Sequence, residues 1–494
     1  MSDNQGDQRH LETLDRDLER FSNLESASAV ASKPVVGMGV SLVFIALAGI
    51  AAMLFFGDSD NAFIVVIAAC LGAYMALNIG ANDVANNMGP AVGANALSMG
   101  GAIAIAVIFE SAGALIAGGD VVSTIAKGII EPERMGTADV FVWAMMSALL
   151  AAALWVNLAT WVGAPVSTTH SVVGGVMGAG IAAAGFSAVS WGTMSGIAAS
   201  WVISPVLGGA IAAFFLFIIK SRIIYQDDKI AAARKWVPIL VGIMAGAFGA
   251  YLALKGLKKI IKIDMPTALL IGLIVAIIVW LLMIPVIRKQ SQGLENRNKS
   301  LKVLFGIPLI VSAALLSFAH GANDVANAVG PLAAIVQVSQ SGDFTSAFNI
   351  PVWVMVIGAF GISFGLFLFG PKLIRMVGGQ ITKLNPMRAY CVALSAAITV
   401  IVASWLGLPV SSTHIAVGAV FGVGFFREWD AERRIKKARL AMPDRPQYSP
   451  QERRRRKLVR RSHFMTIIAA WVITVPAAAV LSGVIFFLIN LIMG

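Results

Sequence analysis

The chain has 494 residues, 58% of them hydrophobic and only 13% charged. A soluble domain normally carries about 25% charged residues, so the composition excludes a soluble globular protein. The formal net charge is +12, but much of it lies in one segment near the C-terminal end. No aromatic platform or folded basic domain accompanies that segment, so the charge does not indicate nucleic acid binding.

The first 33 residues are polar and charged, and we predict a cytoplasmic tail with one amphipathic helix around residues 11–24. A cleavable signal peptide would instead begin with a short basic region and an apolar stretch. Residues 34–61 are predicted to hold the first transmembrane helix and an outer loop.

Apolar runs follow one another along most of the remaining chain. A helix of about 20 apolar residues crosses a bilayer core of about 30 Å. Runs of this kind lie at residues 36–56, 62–79, 97–118, 141–163, 193–219, 236–254, 265–287, 303–319, 352–370, 389–407 and 464–492, with shorter ones at 167–186 and 411–426. The chain is therefore predicted to be an all-α polytopic membrane protein with about 12 transmembrane segments.

Two motifs occur twice in the same order. Gly-Ala-Asn-Asp-Val-Ala-Asn stands at residues 80–86 and 321–327, and Pro-Val-Ser-(Thr/Ser)-Thr-His stands at 165–170 and 409–414. From the aspartate of the first motif to the proline of the second is 82 residues in one copy and 85 in the other. This self-similarity indicates a duplication. The predicted domains are repeat 1 at residues 62–222, a linker with a transmembrane hairpin at 223–302, and repeat 2 at 303–494.

The placement of basic residues predicts the orientation. The loop 427–463 is rich in Lys and Arg and should be cytoplasmic by the positive-inside rule, whereas its counterpart 181–192 has no charge and fits the outside. Equivalent loops on opposite faces predict two inverted-topology repeats and a cytoplasmic N-terminal tail. The run from Arg453 to Arg461 is also predicted to contact anionic lipids. Against this orientation, four lysines fall on the outer side: Lys255, Lys258, Lys259 and Lys262.

The first motif predicts broken helices near the membrane midplane. Asn and Asp compete with the backbone for hydrogen bonds, and Gly tolerates unwinding. A broken helix inside a membrane is allowed where it is buried in protein or lines a wet cavity. Freed carbonyls and polar side chains would then form an all-oxygen shell for a hard cation. The alternative is capping of helix ends and hydrogen bonding between helices. The candidate cation ligands are Asn82, Asp83, Asn86, Asn323, Asp324 and Asn327.

The second motif predicts the start of a helix. Ser and Thr favour the N-cap and Pro is tolerated in the first turn. Free N–H groups, the positive end of the helix dipole and several hydroxyls would together make an oxyanion site. Ordinary capping is the alternative. The candidate anion-binding residues are Ser167, Thr168, Thr169, Ser411, Ser412 and Thr413.

Glu110 stands alone on an otherwise apolar helix. A carboxylate inside a membrane is costly, so we predict a cation ligand or coupling group. Its positional match in the second copy is Gly361, which makes the copies chemically unequal. His170, His414 and His320 are read as buried neutral histidines that donate to carbonyls, or as members of a proton relay.

The duplicated motifs together resemble the inorganic phosphate transporter (PiT) family, over residues 62–220 and 303–492. The resemblance implies a secondary transporter, not an enzyme, that carries phosphate with sodium or protons across the inner (cytoplasmic) membrane. It implies that the six Asn and Asp residues bind the cation and that the six Ser and Thr residues bind phosphate. Phe109-Glu110 and the run 127–130 resemble the sodium-coupled branch. Many relatives carry a glutamate in the helix before the second Pro-Val-Ser motif, and residues 389–393 lack it, which leaves the number of coupled cations open.

The alternatives are another oxyanion, a passive channel and an enzyme. Sulfate or another oxyanion has a similar tetrahedron of oxygens. A passive anion channel fits poorly with carboxylates beside the anion site, and a membrane hydrolase would need a duplicated catalytic site. The sequence contains no Gly-Lys dipeptide and hence no Walker A motif. No organic cofactor is expected, and the oligomeric state is left open, a homo-oligomer included.

Overall fold

The computed structural model of the chain describes residues 36–57, 61–163, 166–256, 263–342, 349–380, 384–441 and 461–493. The predicted tail helix, three of the four outer lysines, Pro165 and the arginine run that starts at Arg453 lie outside these ranges. The described residues form helices and no β-strand. The helices are α1 (Val36–Phe56), α2 (Ala62–Asn82), α3 (Val84–Gly93), α4 (Met99–Ala117), α5 (Gly119–Ser123), α6 (Ala138–Val162), α7 (Thr168–Ala184), α8 (Trp191–Ile219), α9 (Lys229–Lys255), α10 (Met265–Gln290), α11 (Asn298–Leu304), α12 (Gly306–Ser341), α13 (Val352–Gln380), α14 (Pro386–Trp405), α15 (Ser412–Ala441) and α16 (Arg461–Met493).

Within the described ranges, 11 helices are long and apolar enough to cross a membrane, and they coincide with the 11 long apolar runs. The two shorter runs correspond to α7 and to the first half of α15. The prediction of an all-α polytopic membrane protein is thus confirmed. Residues 427–441, predicted as part of a loop, instead continue α15.

The two copies of the first motif differ in backbone structure. In the first copy α2 ends at Asn82 and α3 begins at Val84; Asp83 between them is a single turn residue that keeps helical backbone angles and donates its N–H to the Ile79 carbonyl, so the interruption is one residue long. In the second copy α12 runs without interruption from Gly306 to Ser341, so the predicted break at Asp324 is wrong. Asn323 and Asp324 direct their side chains to groups of other elements, so neither competes with the helix backbone and the helix stays intact. Asn82 and Asp83 also bond side chains of other elements, which limits the interruption in the first copy to one residue.

Helices of the first copy pack on helices of the second copy in equivalent pairs. Helix α2 lies on α13 and α12 lies on α4, while α8 lies on α15 and α16 lies on α7. Glycines let the backbones approach closely, as is common between membrane helices. Gly80 lies against the carbonyl of Ile362, and its counterpart Gly321 lies against the carbonyl of Glu110. Such reciprocal pairs are the contacts expected of two copies related by a two-fold axis.

Helix α12 lies at the centre of this arrangement, and every residue of 312–338 is buried. The linker hairpin α9–α10 lies at the side, and α10 exposes a row of leucines and isoleucines. Lys255, at the end of α9, forms an ion pair with Asp120 at the start of α5. Asp120 therefore neutralises the charge of one of the four lysines that conflicted with the predicted orientation.

A polar contact joins the segment that follows α8 to the second half of α15. Lys220 lies 2.7 Å from the carboxylate of Asp430, and the Tyr225 hydroxyl donates to the same carboxylate. Burial, together with this hydrogen bond and the charge of Asp430, raises the pKa of Tyr225 to about 12. The Arg434 guanidinium lies 3.6 Å from the centre of the Tyr225 ring. Lys220 and Tyr225 therefore tie the segment after α8 to α15, away from the motif residues.

Candidate functional site

The carboxylate of Asp83 lies between the N-termini of two helices from different copies. Thr168, in the first turn of α7, donates to Oδ2 at 2.6 Å, and Thr413, in the first turn of α15, donates to Oδ1 at 2.9 Å. Asp83 is only 1% exposed. Helix N-termini carry partial positive charge, so this position stabilises the carboxylate inside the protein.

Both helices begin as the second motif predicts. Ser167 is the N-cap of α7 and its hydroxyl oxygen accepts the His170 N–H at 3.1 Å, while Ser411 accepts the His414 N–H at 3.3 Å. Thr169 donates to the carbonyl of Val410 at 3.0 Å, which joins the two helix starts. All six predicted anion-binding residues are therefore buried at one place: Ser167, Thr168, Thr169, Ser411, Ser412 and Thr413.

Asp324 occupies the corresponding position in the second copy but has different partners. Ser412 donates to its Oδ2 at 3.1 Å, and Nε2 of His320 lies 2.9 Å from the same oxygen. Among the described residues, Oδ1 of Asp324 has no hydrogen-bond partner. One carboxylate oxygen of Asp324 is thus left for a ligand.

Glu110 is linked to Asp324 through His320. Nδ1 of His320 lies 2.5 Å from Glu110 Oε2, and Asn87 donates to Glu110 Oε1 at 2.9 Å. Glu110, His320, Asp324 and Asn87 are all fully or almost fully buried. His320 therefore bridges two carboxylates, whereas its predicted structural role was a bond to a carbonyl.

The hydrogen-bonded row from Asn87 through Glu110 and His320 to Asp324 has no counterpart among the described residues of the other half. The exchanged glycine contacts pair Glu110 with Ile362, so the earlier match with Gly361 is wrong by one residue. The first motif pairs His320 with Ile79 and Asn87 with Ala328. An apolar set in one half thus replaces a hydrogen-bonded polar set in the other, and the two aspartates have unequal surroundings.

Two motif asparagines connect the helix starts. Asn86 donates to the Thr413 oxygen at 2.9 Å, and Asn327 donates to the oxygens of Thr168 at 3.3 Å and Thr169 at 3.1 Å. Each asparagine therefore reaches a hydroxyl of the opposite copy, so the two motifs of both copies form one site.

The other two asparagines lie at the edge of this site. Asn82 donates to Thr160 at 2.9 Å. Asn323 donates to Ser404 at 3.0 Å and accepts the Val410 N–H at 3.3 Å, so both ends of its amide are used within the protein. Asn323 positions the segment before α15, and its side-chain oxygen already accepts one backbone N–H.

Several buried oxygen atoms near the two aspartates are of the kind that hard cations prefer. Ligand atoms of Asp83, His320 and Asp324 lie within 4.8 Å of one another. Within the described part of the chain, the side-chain oxygens of Asn82 and Asn327 are buried without hydrogen-bond partners, as is Oδ1 of Asp324. Hard cations prefer such carboxylate and carbonyl oxygens. The donor set therefore suits a cation such as sodium better than a soft metal.

The duplicated histidines of the second motif lie beside the site. The rings of His170 and His414 have centroids 4.3 Å apart, and the Trp201 ring lies 3.8 Å from His170. These rings meet where the two copies meet. Their predicted proton-relay role remains a prediction.

Asn87 and the contact between His320 and Glu110 were not predicted from the sequence. The available signal was a departure from the repeat. His320 directly precedes the second motif where the first copy has Ile79, and Asn87 directly follows the first motif where the second copy has Ala328. Polar residues that break a duplication beside its motif are candidates for one shared function.

Comparisons with known proteins agree on one family. A model of the phosphate transporter family matches residues 79–482. A protein named as a phosphate permease in Helicobacter pylori is 45% identical over an alignment of 522 positions, which covers 95% of this chain and 98% of that protein. The chloroplastic inorganic phosphate transporter 2-1 of Arabidopsis thaliana is 36% identical, over an alignment that covers 83% of this chain and 70% of that protein. A solved structure named the sodium-dependent phosphate transporter is 35% identical with a TM-score of 0.78, over 87% of this chain and all of that one.

Proposed function

Because this chain belongs to the phosphate transporter family, we propose that it is a secondary transporter that carries inorganic phosphate together with a cation, sodium in preference to a proton. The family consists of transporters and not enzymes, and the chain is a multi-pass membrane protein. The sodium dependence in the name of the solved neighbour supports the choice of cation.

One observation carries the proposal: two helix N-termini, each with three hydroxyls, meet at two buried aspartates. The hydroxyls and helix dipoles suit a tetrahedral oxyanion, whereas the carboxylates and free amide oxygens suit a cation. We assign phosphate to Ser167, Thr168, Thr169, Ser411, Ser412 and Thr413. We assign the cation to Asn82, Asp83, Asn86, Asp324 and Asn327, with Glu110 as a coupling group and Asn323 as a positioning residue.

The charges explain why the two cargoes would move together. Asp83 and Asp324 are both buried, so a phosphate beside them would add negative charge where water screens little. A cation that binds the aspartates reduces this repulsion and strengthens phosphate binding, and by linkage phosphate strengthens cation binding.

Alternating access by two repeats around this site is the transport cycle that we infer. The exchanged helix contacts and the single shared site support a two-fold relation between the repeats. Inverted topology, the inner (cytoplasmic) membrane and the cytoplasmic side of the basic segment belong to this proposal.

The test is uptake of radiolabelled phosphate into proteoliposomes of the purified protein, driven by an imposed sodium gradient or by an imposed pH gradient. Asp324→Asn is assayed in parallel, and excess unlabelled sulfate is the competitor. We expect concentrative uptake with the sodium gradient alone, lost in Asp324→Asn.

Each other result corrects a definite part of the proposal. Uptake driven only by the pH gradient would replace sodium by the proton and keep the site. Equilibration without concentration would indicate a passive anion channel. Full suppression by sulfate, with concentrative uptake of labelled sulfate, would move the assignment to that oxyanion.

A further inference from the structure

The hydroxyl protons at the site can be assigned to their acceptors. A Ser or Thr hydroxyl carries a single proton to donate. Thr168 and Thr413 donate theirs to Asp83, Ser412 donates to Asp324, and Thr169 donates to the carbonyl of Val410. Four of the six hydroxyls assigned to phosphate are therefore already donating to protein oxygens.

Two asparagines fix the direction of the hydroxyls that donate to Asp83. Asn327 donates to the oxygen of Thr168, and Asn86 donates to the oxygen of Thr413. An N–H that points at a hydroxyl oxygen directs the hydroxyl proton elsewhere, and here the proton points at Asp83. Each threonine is thus oriented from one side by an amide and from the other by the carboxylate.

Phosphate oxygens need the same protons, because a phosphate ion at neutral pH mainly accepts hydrogen bonds. Resting on the phosphate symport proposed above, we propose that Asp83 is a built-in competitor of phosphate. Its carboxylate takes the hydroxyls of Thr168 and Thr413, and a cation bound at Asp83 releases them to phosphate. Sodium then controls phosphate binding through an exchange of hydrogen bonds as well as through charge.

The competition is specific to the first copy. Asp324 accepts only one hydroxyl of the site, from Ser412, and its second contact is His320. Ser167 and Ser411 use their oxygens as helix caps, and among the described residues their protons have no protein acceptor. Two hydroxyl donors, Ser167 and Ser411, are therefore available to phosphate without displacing either aspartate. Thr168 and Thr413 become available when their hydrogen bonds to Asp83 break.

The test measures binding of radiolabelled phosphate to the purified full-length protein in sodium and in choline. Wild type, Asp83→Ala and Asp324→Ala are compared, and gel filtration shows that each variant is folded. In wild type we expect phosphate to bind more weakly in choline by about 5–150-fold, the usual range for coupling between two ligands. In Asp83→Ala we expect the ratio of the phosphate Kd in choline to the phosphate Kd in sodium to fall close to one, because phosphate binding in choline improves.

Asp324→Ala is the charge-matched comparison, since it removes the same charge at the equivalent position and frees Ser412 but neither Thr168 nor Thr413. It also removes a proposed sodium ligand, so the deciding measurement is phosphate binding in choline, which should improve less in Asp324→Ala than in Asp83→Ala. If phosphate binding in choline improves equally in both alanine variants, charge repulsion alone explains the coupling and the competition is refuted. The same holds if Asp83→Ala keeps the full wild-type ratio.

Asp83→Asn serves if the alanine variant does not fold. Its single amide oxygen is a weaker acceptor and accepts a hydrogen bond from one threonine in place of two. The ratio of the phosphate Kd in choline to that in sodium should therefore lie between the wild-type value and one. An unchanged ratio in Asp83→Asn would overturn the inference. Wild-type protein that binds phosphate in neither medium would remove the proposed function itself, so the two failures are distinguishable.

Discussion

At the scale of single residues, His320 is the group that distinguishes the two aspartates. Its ring lies between Glu110 and Asp324, whereas the equivalent Ile79 is apolar. Removing a residue that orients a ligand typically lowers cation affinity about 10–100-fold. We expect His320→Ala to raise the sodium concentration for half-maximal phosphate uptake by about this factor, with little change in the KM for phosphate at saturating sodium.

The control for this prediction is Ile79→Val, a small truncation at the equivalent position, which should leave the sodium dependence unchanged. His320→Gln retains a polar side chain beside Asp324 and should lose less than His320→Ala. A similar loss in phosphate KM and in sodium response would show a general structural defect instead of a positioning role.

The same residues show what could be predicted from the sequence. Duplicated motifs placed Asp83, Asp324 and the six hydroxyl residues in one site, because repetition at equal spacing is visible without a structure. The contact between Glu110 and His320 joins residues 210 positions apart, and no local pattern reports such a pair. The break predicted at Asp324 failed for a related reason: the groups that satisfy Asn323, namely Ser404 and the loop to Val410, lie more than 80 positions away.

At the scale of helices, close packing of α4 on α12 and of α13 on α2 holds the site together. A Cβ at Gly113 would lie 2.0 Å from the carbonyl oxygen of Phe318, and a Cβ at Gly365 would lie 2.0 Å from that of Leu77. Both oxygens belong to backbone and cannot turn aside. We expect Gly113→Ala and Gly365→Ala each to lower the melting temperature in detergent, since such overpacking costs about 1–3 kcal/mol or more.

Gly196, in α8, supplies the matched control, because a Cβ there would meet nothing within 4 Å. Gly196→Ala should keep or raise the melting temperature, as alanine is favoured over glycine inside a helix by about 1 kcal/mol. Equal melting temperatures for all three variants would show that the helix crossings have room to adjust.

At the scale of the whole molecule, the orientation of the two repeats remains a prediction that labelling can decide. The chain has two cysteines: Cys391 is buried and Cys70 is partly buried within an apolar helix. Alanine at both positions gives a background for single exposed cysteines. Ser187 lies in the uncharged segment between α7 and α8, and Ala431 lies in the equivalent basic continuation of α15.

We expect Ser187→Cys to react with a membrane-impermeant maleimide added to intact cells, and Ala431→Cys to react only after the membrane is permeabilised. Clustered Lys and Arg are retained on the cytoplasmic side, which places residue 431 inside, and inverted repeats then place residue 187 outside. Reaction of both cysteines from the same side would show parallel repeats and refute the inversion. Reaction of Ala431→Cys alone in intact cells would keep the inversion and reverse the orientation. The pair of sites therefore separates the symmetry of the fold from its direction in the membrane, and alternating access at one shared site needs only the symmetry.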